Sequence, residues 1–174
     1  ECASPVVAEN SYKRMTELCK GAESGQFAPL IIVDNDKIKK LYPKLTVKQF
    51  WPTLNNTVAG LFHIFNLLCT KNSDYTVFDP ADYESIMKTA GCMIFGATTI
   101  KDPESPTSVS LGLRNNLEKT LLAGGFDLTT AKGAASIIVG GTELYETVPG
   151  LMDNIEYGFD TLATLTGGAI IHRG

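Results

Sequence analysis

The longest regular pattern in the chain runs from Thr46 to Cys69, TVKQFWPTLNNTVAGLFHIFNLLC. Apolar side chains recur there at Val47, Phe50, Trp51, Leu54, Val58, Leu61, Phe62, Phe65 and Leu68. Spacings of three and four predict one long helix. Thr46 with Gln49 three residues on makes a capping-box start. Ile64, Leu67 and Cys69 add a second apolar face in the last turns, so this helix is expected to pack on opposite flanks, as a spine between two halves. Pro52, in the second turn, is a point where it can bend.

Shorter elements flank the spine. NSYKRMTELCK, Asn10 to Lys20, predicts a helix with Tyr12, Met15, Leu18 and Cys19 on one face, ended by GAESGQ. PLIIV, Pro29 to Val33, reads as a strand buried on both faces. Left unpaired it would be a sticky edge, so pairing with another chain or a rearranged fold is expected there. DNDKIKKLYPK predicts a short helical turn that ends before Pro43. After the spine come a loop, a helix from Pro80 to Thr89, a strand GCMIFGATTI and a loop DPESPT. A helix over Ser108 to Leu122, a turn AGGFD and a strand AASIIV follow. Val148, Leu151, Met152, Ile155, Phe159 and Leu162 predict a helix from Leu144 to Thr164, and GAIIH, Gly168 to His172, is a last strand. The order helix–helix–strand–helix–strand–helix–strand predicts an α/β or α+β layer: a long central helix packed against a small mixed sheet with helices.

Composition narrows the classes. Of the 174 residues 44 % are apolar and 20 % charged, enough for a core and too apolar for disorder. A net charge of −4 argues against a nucleic-acid or anionic-membrane surface. The apolar run Val58 to Cys69 is shorter than the roughly 20 residues of a membrane span, so no integral membrane segment is expected. The start ECASPVVAEN has neither a basic region nor a long apolar stretch and lacks an initiator Met. A cytoplasmic fragment or processed chain is the expectation. Cys2, Cys19, Cys69 and Cys92 form no C-x-x-C and have no nearby His, so no metal site is expected and the thiols read as buried and reduced.

Familiar catalytic signatures are missing: G-x-S-x-G, H-E-x-x-H, G-x-x-x-x-G-K-[ST] and G-x-G-x-x-G do not occur. The glycine pairs 124–125, 140–141 and 167–168 read as turns. His63 reads as a core histidine and His172 as a strand residue. TVFDPADYESIM, Thr76 to Met87, is more informative. Asp79 before Pro80 is a natural N-cap, and Asp82 stands where a capping-box acid would. Both would face outward at the positive end of a helix, ionised, and such carboxylates can orient a water or accept its proton. Capping alone and capping with chemistry both fit the pattern.

VFDPAD resembles the N-x-D-x-x-D loop that follows the central helix in FtsZ and its tubulin relatives. VDNDKI resembles the segment that precedes that helix, and FDLTTAKGAASIIVGGTEL resembles the family pattern D-L-x-x-A-x-G-x-x-x-x-I-x-G-G-x-x-L. ETVPGLMDNIEYGFDTLAT and GAIIHRG fall in the family's order, and the tail is more similar to the archaeal CetZ-type branch. The likeness covers roughly Ser11 to Gly174. It departs at Val77, where the family has Asn, in a loop about one residue longer, and in the absence of a G-G-G-T-G-[ST]-G phosphate loop and of a strand after GAIIH.

The resemblance implies the C-terminal part of a filament-forming cytoskeletal GTPase of the kind used in cell division. Residues 1–45 would be a remnant of the nucleotide-binding domain, 46–70 the central helix and 71–174 the GTPase-activating domain. Asp79 and Asp82 would be the acids that activate hydrolysis on the adjacent subunit. Trp51 would stack on guanine and Asn55, four residues on, would bond its edge; core and surface roles are the alternatives for these two. GTP or GDP with Mg2+ would be bound only with an N-terminal nucleotide-binding domain, and partners would be that domain and further copies, head to tail. A non-enzymatic filament-capping module and a small-molecule-binding α/β module, with the two acids as caps only, are the rival readings.

Overall fold

The computed structural model describes residues 4–34, 39, 42–118 and 126–174. Its first helix, α1, spans Pro5–Glu23. It begins five residues before the predicted start because Ser4 is an N-cap, accepting from the Val7 N–H at 3.4 Å, and Pro5 pre-sets the first turn. Gly21 and Ala22 carry the helix past the expected stop, and Gly25, at φ 76°, ends the turn that follows.

PLIIV contributes a two-residue strand, β1 (Leu30–Ile31), half buried rather than enclosed on both faces. It pairs in parallel with β2 (Cys92–Met93), Leu30 opposite Cys92 and Ile31 opposite Met93. The sticky edge is therefore met inside this chain, by the segment predicted to be a strand over 91–100, of which only two residues join the ladder. The predicted turn over 34–44 falls largely outside the described residues.

The spine is α2 (Val47–Leu68), entered through Thr46, whose backbone N–H donates to Gln49 Oε1 at 3.2 Å. Pro52 lies inside it. Leu61 and Phe95 form a small core with Ile31, Val58, Phe62, Phe65 and Met93 around them, and the Phe95 ring meets the Phe62 and Phe65 rings at a tilt. The second face is bare, with Ile64 and Leu67 exposed, and Val47 and Trp51 at the start of the main stripe are exposed as well. The expected two-sided burial is corrected to one-sided: α2 packs on the β1–β2 flank and, at its end, meets Tyr83 beside Asn66 and Cys69, while Ile64 and Leu67 of the second face stay open.

Helix α3 is Pro80–Lys88 and helix α4 is Ser108–Glu118. A 3-10 turn at Leu128–Thr130 leads into β3 (Gly133–Ser136). The single helix expected over 144–164 is two, α5 (Thr142–Thr147) and α6 (Leu151–Leu165). Pro149 disfavours helical backbone at Val148, and Gly150 takes the left-handed conformation at φ 74°, so the chain breaks between them. Strand β4 (Ile170–Arg173) returns parallel to β3, with Ala135 opposite His172.

Both ladders are parallel and two-stranded, so the expected mixed sheet does not form among the described residues and the chain is an α+β fold. Helices lie against both faces of the β3–β4 ladder, though Ile170 at the start of β4 stays exposed. Val109, Leu151, Ile155 and Phe159 form the main core where α4 crosses α6, with Ile171 packed against it. Gly158 permits this crossing, since a Cβ there would lie 2.4 Å from Val109 Cγ1. On the other face Ile86 of α3 approaches Gly133. The loop before α4 is tied down by Asn154, only 3 % exposed. Its Oδ1 accepts from the Val109 N–H, and its amide donates to the Ser105 carbonyl at 2.8 Å and Ser108 Oγ at 3.0 Å. Among the described residues no helix is long and apolar enough to cross a membrane.

Candidate functional site

Phe78, buried, anchors the loop that precedes α3, and the next residue, Asp79, is exposed. Its backbone is extended, at φ −91° and ψ 173°, the geometry of an N-cap. Asp79 Oδ1 accepts from the Ala81 N–H at 2.7 Å and the Asp82 N–H at 2.9 Å. Asp82 Oδ2 reaches back to the Asp79 N–H at 3.1 Å, closing the capping box. Pattern and geometry agree here: both acids cap their own helix. Both nevertheless keep access to solvent.

The two carboxylates differ in what is left over. Asp82 Oδ1 lies 2.6 Å from His172 Nδ1, across a sequence separation of 90 residues. An ionised carboxylate only accepts, so the hydrogen sits on Nδ1. His172 reaches Asp82 because strand alternation turns it away from Ile171 and the main core, toward the α3 face. This hydrogen bond is the main cause that holds the Asp82 carboxyl below the usual aspartate range; partial burial opposes it and the Asp79 N–H assists. Both oxygens of Asp82 are thus engaged. Asp79 uses Oδ1 for the cap, and among the described residues no hydrogen bond engages its Oδ2.

The next residue of β4 extends the polar surface on the opposite face. Arg173 donates to Glu156 Oε2 at 3.0 Å and lies over the Phe159 ring, 4.8 Å from its centre. The Tyr75 hydroxyl donates to Glu156 Oε1 at 2.5 Å. That bond holds Glu156 low and Tyr75 high relative to their ordinary values. Tyr75, Glu156 and Arg173 share no local spacing, so the sequence carries no signal of this network. The one available signal for His172 was its odd position in an otherwise apolar strand.

Trp51 and Asn55 lie in the first half of α2, both exposed, with Trp51 at 54 %. Trp51 is not core; its ring meets Phe50 edge-on, 5.2 Å between centres. The acids are not beside them. Tyr83, next to Asp82, lies against Asn66 and Cys69 at the far end of α2. From Asn55 to Asn66 is roughly 16 Å along a helix axis, and from Trp51 roughly 22 Å. The fold therefore brings Asp79, Asp82 and His172 together and leaves Trp51 and Asn55 at the other end of the spine. Among the described residues no three His, Cys, Asp or Glu side chains gather as a metal site. No family model, curated protein or solved structure matches this chain.

Proposed function

We propose that this chain is the activating part of an FtsZ/tubulin-like, filament-forming GTPase, and that Asp79 is its water-orienting acid. The observation that carries the reading is the division of labour at the start of α3. Asp82 is fixed by His172 and by the cap, and it fixes the Asp79 backbone in turn. Asp79 then presents an exposed, uncommitted Oδ2 at the end of a helix cap. Hydrolysis of a nucleoside triphosphate asks the protein mainly for positioning and charge management, and a carboxylate lone pair aimed at water supplies the first.

Trp51 and Asn55 suit a guanine: an open aromatic face and an open amide one helical turn apart. Their distance from the acids along α2 supports a site completed between two copies, the acids of one serving the nucleotide held by the next. Such a head-to-tail contact is heterologous and propagates into filaments. The chain carries no glycine-rich phosphate cradle, so the proposal assigns that part to a nucleotide-binding domain working with it.

The test is GTP turnover by the chain combined with its nucleotide-binding domain. Asp79→Ala should lower turnover by about 100-fold or more with GTP binding unchanged. A mixture of Asp79→Ala and Trp51→Ala proteins should exceed the sum of the two alone, since a hybrid contact pairs an intact acid with an intact base pocket. Near wild-type turnover by Asp79→Ala would refute the role, and a mixture no better than its parts would refute action between copies. A second reading, binding of an apolar small molecule, is favoured by a cavity of about 1310 Å3 between the helices and the ladders, lined in part by Phe65, Met93, Leu113, Ile137 and Leu162. A thermal-shift panel of nucleotides and apolar metabolites separates it from the first.

A further inference from the structure

Cys19 of α1 and Cys92 of β2 face each other with their sulfurs 3.7 Å apart. The approach is built by backbone rather than by chance side-chain rotation. The Gly91 N–H donates to the Ala22 carbonyl at 3.0 Å, and the Leu30 N–H donates to the Gly91 carbonyl at 3.3 Å. The last turn of α1, the start of β1 and the start of β2 are thereby held in one small assembly, with a thiol contributed from each side. Both cysteines are half buried, so neither is sealed from a small oxidant. Cys69 is different: it is buried and donates to the Asn66 carbonyl.

We propose that Cys19 and Cys92 are a reversible oxidation site, closed to a disulfide by a hydroperoxide and reopened by a thiol reductant, which fastens α1 to the β1–β2 ladder. The Cys19 sulfur attacks the peroxide O–O bond and becomes a sulfenic acid, releasing water. Cys92 then attacks that sulfur, its proton leaves with the hydroxyl as a second water, and the S–S bond forms. Two thiols and one hydroperoxide give one disulfide and two hydroxyl products, so two electrons pass from sulfur to peroxide oxygen. The sulfurs move from 3.7 Å to about 2.05 Å, within reach of small side-chain rotations.

The geometry also says what the bond would change. Of the 19 residues of α1 only Gly21 and Ala22 are buried, so the helix is held by its final turn. Tyr12, Met15 and Leu18 lie open to solvent. An element with so few buried contacts opens locally at low free energy. The disulfide would close a loop across 73 positions and suppress that opening. Burial, with Cys19 and the Glu23 carboxylate beside it, pushes the Cys92 thiol up to about 11. The resolving attack of Cys92 on the Cys19 sulfenic acid should therefore quicken as pH rises from neutral toward that value, since the thiolate is the attacking form.

The experiment treats the reduced full chain with stoichiometric hydrogen peroxide, maps peptides without reduction, and follows melting and proteolysis of α1. The expected result is an intramolecular Cys19–Cys92 peptide, a Tm higher by about 10 °C, slower cleavage within α1, and full reversal by dithiothreitol. Cys19→Ser and Cys92→Ser should each lose the link and the shift. Separate over-oxidation of the two thiols, a link through Cys2 or Cys69, or dimers alone would overturn the proposal. The peptide map of the unmutated chain decides it even if a Ser variant folds poorly. The outcome is independent of the GTPase reading.

Discussion

Removing His172 isolates the contact that aligns the acid pair. His172 Nδ1 donates to Asp82 Oδ1 at 2.6 Å, with the two side chains 17 % and 30 % exposed. A hydrogen bond to a charged group contributes about 1.5–3 kcal/mol, and partial solvent screening brings this one to about 1–2 kcal/mol. His172→Ala also removes packing and Asp82→Asn also weakens the cap, so the pair is measured as a double-mutant cycle, where those separate losses cancel. Urea unfolding at neutral pH should give a coupling of about 1–2 kcal/mol, and His172→Ala alone should lower Tm by about 5 °C. The sign of the pH dependence follows from Asp82, whose folded pKa is depressed. Its stabilisation is complete above the ordinary aspartate value of about 3.9 and fades as pH falls through the lower folded value. Repeated well into acid, the cycle should give almost nothing. A neutral-pH coupling below about 0.3 kcal/mol, or one that persists undiminished in acid, would refute the view that this charged hydrogen bond organises the site.

Three further outcomes follow from the packing and the surface. Asn154→Ala leaves the Val109 N–H and the loop carbonyl of Ser105 without their buried partner and should destabilise by about 2–3 kcal/mol in chemical denaturation. Gly158→Ala drives a methyl to 2.4 Å from Val109 Cγ1 and should cost about 1–3 kcal/mol, with much of it regained in the Gly158→Ala, Val109→Ala double variant. Trp51→Ala, at an exposed position, should change unfolding free energy by less than about 1 kcal/mol yet abolish guanine-nucleotide binding in the assembled protein, as read by fluorescent nucleotide titration.

The order of elements after residue 45 was legible because each helix carries a 3.6-residue apolar stripe and each break carries Gly or Pro. The Thr46 and Asp79 caps were legible too, since a capping box is a local pattern. Errors arose where tertiary context decides. α2 has an apolar pattern on two flanks, but burial depends on what else is present to bury it, and no local spacing encodes that. The strands shortened because a ladder needs a partner of matching length, and β1 and β2 offer each other only two residues. Val148-Pro149-Gly150 carried its own signal for the break between α5 and α6, overridden in the reading by a continuous stripe. The site contacts were the least legible. Asp82 and His172 are 90 residues apart, and only the parallel return of β4 beside β3 brings them together.

Capping and chemistry are often treated as rival explanations for an acid at a helix start, and the geometry here leaves room for both. A cap needs one oxygen accepting from the N–H groups of the first turn, and Asp79 gives Oδ1 to two of them. That bond fixes the rotation of the carboxylate, so the direction of Oδ2 is fixed as well without any further partner. Asp82, reciprocally bound to the Asp79 N–H and clamped by His172, removes the remaining freedom of the backbone that carries it. A catalytic carboxylate needs this kind of support, because a group free to rotate loses the orientation that distinguishes it from bulk solvent. The same residues then predict a separable pattern: Asp82→Asn, which keeps an acceptor for the cap, should impair turnover less than Asp79→Asn, which keeps the cap but removes the charge facing water. Equal losses from the two amides, at equal stability, would mean that neither oxygen of Asp79 has the privileged role argued here.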